Sequence, residues 1–325
     1  MLGRARIGGE GRMAVLVVKS GGEAAMADWR EGFAACAPGL EVRWWGEAGL
    51  RAEDVDYALV WDPEPGRLAA MTNLRAVFGS GAGVDGIVAD PLYPRHVPLV
   101  RMSIPAATER MGEFVCWAAL SLLKDARRMA IAQAERRWDE VEPPYRASQR
   151  TVGIMGLGNM GSAATRMLRG IGFPVIGWSR GRKDVPGVGS YAGPGEMAAF
   201  LARTDILVCL LPATAETRGI INSATLGGLR RGAGYIGVGR GMQQRLDDIL
   251  AALEDGQLSG AVLDVFEPEP LPPGHPLWGH PRTIVTAHVA SLPSRAERAA
   301  AVAAAIAGFE RGEGLPNLFD HERGY

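Results

Sequence analysis

The chain has 325 residues, which is more than one compact domain usually holds and suits two domains of about 150 residues each. Its 35 Lys and Arg residues balance 36 Asp and Glu residues, so no basic surplus points to nucleic acid or an anionic membrane surface. No apolar run approaches the roughly 20 residues that a membrane span needs. Cys36, Cys116 and Cys209 are far apart and match no metal-ligand spacing, which indicates a reducing compartment, most simply the cytoplasm, and no metal site.

The first part of the chain alternates short apolar runs with helical or turn-rich segments. Residues 1–12 are rich in Gly and Arg without periodicity and are predicted to form a disordered tail, with Met13 as an alternative start. Strands are predicted at residues 14–18, 57–61, 76–78 and 97–100, and this βαβ rhythm is typical of a parallel sheet. From Thr108, apolar residues at helical spacing predict one long helix that ends near Trp138.

A second βαβ series follows this helix. Its strands are predicted at residues 151–155, 174–178, 206–211, 234–238, 261–265 and 283–286. An alanine-rich helix is predicted over residues 294–312. The sequence therefore predicts an α/β protein with two parallel sheets.

The first strand of the second series runs directly into a G-x-G-x-x-G turn at residues 156–161. Gly156 allows the tight turn, Gly158 lets a pyrophosphate approach the backbone, and Gly161 permits close packing of helix and strand. The following helix supplies unpaired N–H groups and a positive dipole end. The context predicts a dinucleotide site; the alternative is a purely structural glycine-rich turn.

The next strand ends in Ser179-Arg180-Gly181-Arg182-Lys183. An NAD site usually has an acidic residue here, which accepts from the ribose 2′-hydroxyl. Cations in its place predict a clamp for a 2′-phosphate, and hence NADPH in preference to NADH. A solvated turn is the alternative.

Three further residues follow apolar strands of the second series. Arg240 lies between two glycines after strand 234–238, where a guanidinium can bind a carboxylate bidentately. Glu269 and His288 follow the next two strands, and a carboxylate that fixes an imidazole tautomer leaves the other nitrogen as a proton donor. Taken alone, Glu269 could be a solvated loop residue and His288 a strand-end histidine, with His275 and His280 as nearby competitors.

Several stretches together resemble the D-2-hydroxyacid dehydrogenase family, most closely its glyoxylate/hydroxypyruvate reductase A branch. They are GLGNMG, the arginine of GRG, LDVFEPEPLP, HPLWGHP and TAHVA, with YALVW, FGSGAGVD, WSRGRK and the closing RGY, and they span nearly the whole chain. The resemblance implies two Rossmann-like domains. The dinucleotide-binding domain, residues 104–289, is then inserted into a substrate domain formed by residues 13–103 and 290–325.

The resemblance also implies NADPH-dependent reduction of small 2-keto acids, such as glyoxylate and hydroxypyruvate, by a cytoplasmic homodimer. Arg240 then binds the substrate, Glu269 pairs with His288, and His288 donates the proton. The backbone N–H groups of Ala82 and Gly83 bind the substrate carboxylate. The implied cofactor site comprises Gly156, Gly158, Asn159, Met160, Gly161, Ser179, Arg180, Arg182, Lys183, Leu211, Pro212, Val238, Gly239 and Asp264.

Trp138 is a candidate to reach the substrate cleft of a partner subunit, and a tryptophan packed within its own subunit is the alternative. The chain departs from the family pattern N-x-A-R-G, because it has Gly237 and Gly239 where asparagine and alanine are common. We expect this loss of side chains to loosen the loop of Arg240. Two other functions are open: a dinucleotide-sensing protein on the same fold, and a β-hydroxyacid dehydrogenase, whose GLGNMG turn would stand at the N-terminus ahead of helices.

Overall fold

A computed structural model describes residues 12–140, 142, 144–322 and 324 of the chain. They form two compact units. One comprises the described part of Met1–Ala107 together with Pro293–Tyr325, and the other comprises Thr108–Leu292. The prediction of a disordered tail concerns residues that, apart from Arg12, lie outside the described ones.

The first unit is built on a five-stranded parallel sheet in the order β2-β1-β3-β4-β5. Its strands are β1 Ala14–Lys19, β2 Leu40–Trp44, β3 Tyr57–Val60, β4 Ala76–Gly79 and β5 Leu99–Val100, and its main helices are α1 Met26–Cys36, α2 Asp85–Val88 and α9 Arg295–Glu310. Helices α1 and α9 bury Trp29, Phe33, Val302 and Ile306 against one face of the sheet. This core brings the C-terminal helix back to the N-terminal strands.

The second unit contains a seven-stranded parallel sheet in the order β12-β11-β10-β9-β6-β7-β8. Its strands are β6 Val152–Met155, β7 Val175–Ser179, β8 Gly189–Ala192, β9 Ile206–Cys209, β10 Ala233–Gly237, β11 Leu258–Leu263 and β12 Thr283–Val285. Its helices are α3 Pro105–Leu123, which begins just before the unit boundary, α4 Ala126–Ala134, α5 Asn159–Ile171, α6 Met197–Leu201, α7 Ser223–Gly227 and α8 Leu246–Glu254. The chain order reverses between β6 and β9, which is where open α/β sheets bind ligands.

The predicted fold class of two α/β domains with parallel sheets is confirmed. The inner strands are buried on both faces, which explains their continuous apolar runs. Strands β2 and β8 were not predicted, because both lie at sheet edges and lack a continuous apolar run: β2 alternates apolar and charged residues, and β8 has the sequence GSYA. The single helix predicted from Thr108 is wrong: the chain turns at Asp125, whose φ of 52° is left-handed, and divides it into α3 and α4.

Candidate active site

The central strands of the seven-stranded sheet end level with one another. Register pairs join Met155 to Cys209, Cys209 to Gly237, Gly237 to Leu263 and Leu263 to Val285. Parallel strands share their carboxyl edge, so the five loops that follow these residues begin side by side. Every catalytic residue predicted from the sequence lies in one of these loops.

The glycine turn after β6 has the geometry of an anion cradle. Gly156 has a φ of 103°, which favours glycine, and a Cβ on Gly161 would overlap the carbonyl oxygen of Gly156. At Gly158, by contrast, a Cβ would meet no atom within 4 Å. Gly158 is the N-cap of α5 and provides no side-chain cap, so N–H groups at Asn159 and Met160 are available to a ligand. These residues fit a dinucleotide pyrophosphate.

The cations after β7 are held differently from one another. Arg182 forms an ion pair with Glu196 and a hydrogen bond with the carbonyl oxygen of Ser190, and the Lys183 backbone N–H donates to Ser190 Oγ. Arg180 is exposed. The pKa of Glu216 is lowered by hydrogen bonds with Thr214 and the backbone, and further by the charge of Arg180. Arg180 therefore places positive charge near the loop after β9.

Arg240 follows β10 and lies close to its own backbone turn. Its Nη1 donates to the carbonyl oxygen of Gly239 at 3.0 Å, and its backbone N–H donates to Gln243 Oε1 at 2.8 Å. Gln243 and Gln244 are both buried. They occupy the space that the family's alanine and asparagine would need at Gly239 and Gly237. These contacts restrain the loop that we expected the loss of side chains to loosen.

Glu269 and His288 form a pair, with Glu269 Oε2 2.8 Å from His288 Nδ1. Burial raises the pKa of the Glu269 carboxyl. Hydrogen bonds from His288 and from the Phe266 N–H, together with the charge of Arg240, lower this pKa by more than burial raises it. The net pKa of Glu269 lies below its usual value, so Glu269 is ionised at neutral pH. An ionised partner at Nδ1 assigns the tautomer that has its proton on Nδ1.

Asp264 organises the turn that carries His288. Its carboxylate accepts hydrogen bonds from the N–H groups of Val289 and Ala290, both at 2.9 Å, and from the hydroxyl of Thr286 at 2.6 Å. The N–H of His288 donates to the Asp264 carbonyl oxygen, and His288 has a left-handed φ of 53°. Asp264 thus supports a strained residue, a role that the sequence did not indicate.

The competing residues have other partners. His275 Nδ1 accepts from the N–H of Leu277, and His280 Nδ1 accepts from the N–H of Arg282. Glu267, the other carboxylate near Glu269 in the same loop, pairs with Arg218 on the surface. The structure therefore brings Glu269 together with His288, and it does so with neither of the other two histidines.

In the first unit, the loop after β4 contains Ala82 and Gly83, both partly buried. Within the described residues, their N–H groups have no hydrogen-bond acceptor. Behind this loop Arg298, 6% exposed, donates to Ser80 Oγ at 2.7 Å and lies over the ring of Trp29. Burial and, less strongly, the positive charge of Arg295 lower the pKa of Arg298 to about 10. No sequence motif indicated this buried charge, which comes from α9, far along the chain.

Among the residues that the structure describes, no group of three or more His, Cys, Asp or Glu side chains is arranged to hold a metal ion. No described helix combines the length and apolarity that crossing a membrane requires.

The comparisons with known proteins agree with one another. The family model for the NAD binding domain of D-isomer specific 2-hydroxyacid dehydrogenases matches residues 116–290. The chain is 40% identical over 302 residues to the glyoxylate/hydroxypyruvate reductase A of Citrobacter koseri, a match that covers 91% of this chain and 96% of that protein.

Solved structures show the same similarity. The D-isomer specific 2-hydroxyacid dehydrogenase from Xanthobacter autotrophicus Py2, in complex with NADPH and MES, has a TM-score of 0.88 and 40% identity, covering 96% of this chain and all of that one. The NADPH-dependent glyoxylate/hydroxypyruvate reductase from Sinorhizobium meliloti, in complex with NADP and sulfate, has a TM-score of 0.87 and 38% identity, with 96% and 100% covered. These matches exclude the β-hydroxyacid dehydrogenase alternative.

Proposed function

The chain belongs to the D-isomer specific 2-hydroxyacid dehydrogenase family, and on that premise we propose that it reduces small 2-keto acids with NADPH. Glyoxylate and hydroxypyruvate are the proposed substrates, because relatives at 38–40% identity are named for them. The observation that carries the proposal is the Glu269–His288 pair, 2.8 Å apart, at the same sheet edge as Arg240.

NADPH fits the residues after β6 and β7. The open space at Gly158 and the N-terminus of α5 suit its pyrophosphate, and Arg180 suits its 2′-phosphate. The remaining cofactor residues predicted from the sequence belong to loops at the same edge of the sheet and stay part of the proposal. When bound, NADPH supplies the hydride that reduces the keto carbon.

His288 is the proposed proton donor. Glu269 holds Nδ1, so the proton that His288 delivers to the keto oxygen comes from Nε2. The guanidinium of Arg240 binds the substrate and stabilises negative charge that develops on that oxygen. The hydride on the keto carbon and the proton on the keto oxygen together give a hydroxyl group, so no charge is left on that oxygen.

The substrate carboxylate is assigned to the N–H groups of Ala82 and Gly83. Two adjacent unpaired donors in a half-buried loop form an anion-binding concavity. The buried charge of Arg298, bonded to Ser80 in the same loop, favours an anion there.

The activity is tested by following NADPH absorbance when glyoxylate or hydroxypyruvate is added to the wild type and to His288→Ala. We expect turnover in the wild type and a kcat about 10²- to 10⁴-fold lower in the variant, since the proton donor is lost. His275→Ala and His280→Ala are matched controls and should keep kcat close to the wild-type value. An absence of substrate-dependent oxidation with any small 2-keto acid would favour the dinucleotide sensor instead.

We further infer that the protein is a homodimer that works in the cytoplasm. Trp138 is 90% exposed, which favours an interface role over a tryptophan packed within its own subunit, and Trp117 on α3 is also exposed. Such exposed aromatic rings suit an interface in which Trp138 reaches the partner copy. All three cysteines are free, which suits a reducing compartment. Light scattering at micromolar concentration should give the dimer mass; a monomer mass would contradict the interface.

A further inference from the structure

The loop that carries Arg240 is joined to both neighbouring loops by two consecutive glutamine amides. Gln243 is only 1% exposed; its Nε2 donates to the carbonyl oxygens of Leu211 and Pro212, both at 2.9 Å, in the loop after β9. Its Oε1 accepts from the N–H of Arg240 at 2.8 Å and from Cys209 Sγ at 3.6 Å. Every hydrogen-bonding group of this amide therefore has a partner.

Gln244 makes the corresponding connection on the other side. Its Oε1 accepts from the hydroxyl of Tyr235 at 2.8 Å, and its Nε2 donates to the carbonyl oxygen of Val265 at 2.6 Å. Val265 follows β11 and leads to Phe266, whose N–H donates to Glu269 Oε1 at 2.8 Å. The amide of Gln244 thus ties the strand before Arg240 to the segment that holds Glu269.

Both amides depend on glycine. A Cβ on Gly239 would overlap Gln243 Oε1, and a Cβ on Gly237 would overlap Gln244 Oε1. These are the two positions at which the chain departs from N-x-A-R-G. Glycine next to a functional arginine leaves the backbone free to adopt many conformations, which would disperse the guanidinium unless other contacts fix it.

We propose that Gln243 and Gln244 are positioning residues for Arg240, and that Gly239 and Gly237 provide the space for their side-chain amides. Each amide fixes the arginine loop to the loop of one neighbouring strand. Because both side chains are buried and hydrogen-bonded through Oε1 and Nε2, neither is placed to touch substrate, and their effect is transmitted through Arg240. This inference rests on the proposed role of Arg240 in substrate binding.

The first test is a double-mutant cycle between Gln243 and Arg240. Gln243→Met keeps the length of the side chain but removes its hydrogen bonds. When Arg240 is unchanged, we expect Gln243→Met to lower kcat/KM for glyoxylate roughly 10- to 100-fold, since small displacements of a binding group have effects of this size. In the Arg240→Lys background the same change should lower kcat/KM less than about threefold, because the positioned group is already lost. Equal losses in both backgrounds would show that Gln243 acts on the fold or the cofactor, and would overturn the proposal.

Gln257→Met is the matched control. Its Nε2 also donates to two backbone carbonyl oxygens, those of Leu226 and Leu229, at 2.8 and 3.1 Å. The lost hydrogen bonds are therefore similar, but they lie outside the arginine loop. We expect Gln257→Met to lower the melting temperature while kcat/KM stays within about threefold of the wild type in both backgrounds.

The second test uses the glycine. Gly239→Ala should lower kcat/KM about as much as Gln243→Ala does, because the new methyl group expels the amide. The double variant Gly239→Ala/Gln243→Ala should be no worse than Gln243→Ala alone, since the clash has gone. A harmless Gly239→Ala, or strictly additive losses, would overturn the proposal.

Binding of oxamate, a carboxylate with an adjacent amide carbonyl, separates this inference from the proposed reaction. Calorimetry in the presence of NADPH should show the same coupling between Gln243 and Arg240 as turnover does. A wild type that binds oxamate but reduces no 2-keto acid would overturn the proposed function. The double-mutant cycle measured by oxamate binding would then still decide the role of Gln243. A wild type that neither binds oxamate nor turns over would overturn both.

Discussion

Two glycine-rich turns of the second unit look alike in sequence and differ in what surrounds them. In the turn after β6, a Cβ on Gly158 would meet nothing within 4 Å, and the adjoining helix has no side-chain cap. In the turn after β10, a Cβ on Gly237, Gly239 or Gly241 would overlap Gln244, Gln243 or the Phe266 carbonyl, respectively. One turn keeps its space for a ligand, and the other fills its space with the protein's own amides.

The difference shows that glycine next to a functional group has two opposite uses. Around Gly158, missing side chains let a phosphate approach backbone donors. Around Arg240, the missing side chains leave space for the Gln243 amide, which hydrogen-bonds both the Arg240 backbone and the loop after β9 and so fixes the arginine loop. Substituting alanine for glycine should therefore break the two turns in different ways.

Gly158→Ala should have the largest effect of the changes proposed for the first turn. The methyl group would block the approach of the pyrophosphate and remove about two hydrogen bonds to charged oxygens, which raises the Kd of NADPH roughly 10²- to 10⁴-fold. Stability should change by less than about 1 kcal/mol in the free energy of unfolding, because alanine is a poorer N-cap but also restricts the unfolded chain. Fluorescence titration with NADPH and urea unfolding measure the two quantities.

Gly170→Ala is the control for this prediction. Gly170 lies in the last turn of the same helix, and its Cβ would also enter open space. Alanine there should raise the free energy of unfolding by about 0.5–1 kcal/mol and leave the Kd of NADPH unchanged. If Gly158→Ala bound NADPH as well as Gly170→Ala does, the open space at Gly158 would have no connection with the cofactor.

Local pattern was enough to predict most of the sheet and the chemistry at its edge. Buried parallel strands leave uninterrupted apolar runs, so the ten strands predicted from such runs are all present, with ends shifted by up to three residues. The chemistry of Glu269 and His288 follows from their place after consecutive strands, and the structure joins them at 2.8 Å. Edge strand β8 has no such apolar run, and the turn at Asp125 depends on a backbone angle that composition does not report.

Contacts between residues that lie far apart in the sequence could not be predicted, because only the folded structure brings these residues together. Asp264 supports the turn of His288 across 22 or more residues of chain, and Arg298 reaches Ser80 from a helix 218 residues away. Gln243 and Gln244 follow Arg240 closely in sequence, so a signal was present: two amides beside two unexpected glycines. Its meaning required knowing that the amides turn inward between the loops.

Arg180→Ala should have a smaller effect than Gly158→Ala, because it removes one contact and leaves the pyrophosphate cradle intact. A charge-assisted contact between arginine and phosphate contributes about 1.5–3 kcal/mol, which corresponds to roughly 10- to 150-fold in the Kd of NADPH. The kinetics with NADH, which lacks the 2′-phosphate, should hardly change, so the preference for NADPH in kcat/KM should largely disappear.

Arg182→Ala provides the comparison, since its guanidinium is bound to Glu196 and to the Ser190 carbonyl oxygen. This variant should raise the Kd of NADPH less than about threefold, and added salt should reduce that effect because the Arg182 side chain is exposed. A larger loss of NADPH affinity in Arg182→Ala than in Arg180→Ala would mean that the ion pair between Arg182 and Glu196 opens to bind the 2′-phosphate. Equal use of NADPH and NADH by the wild type would contradict the assignment of this turn altogether, and would leave the first glycine turn as a site for the pyrophosphate alone.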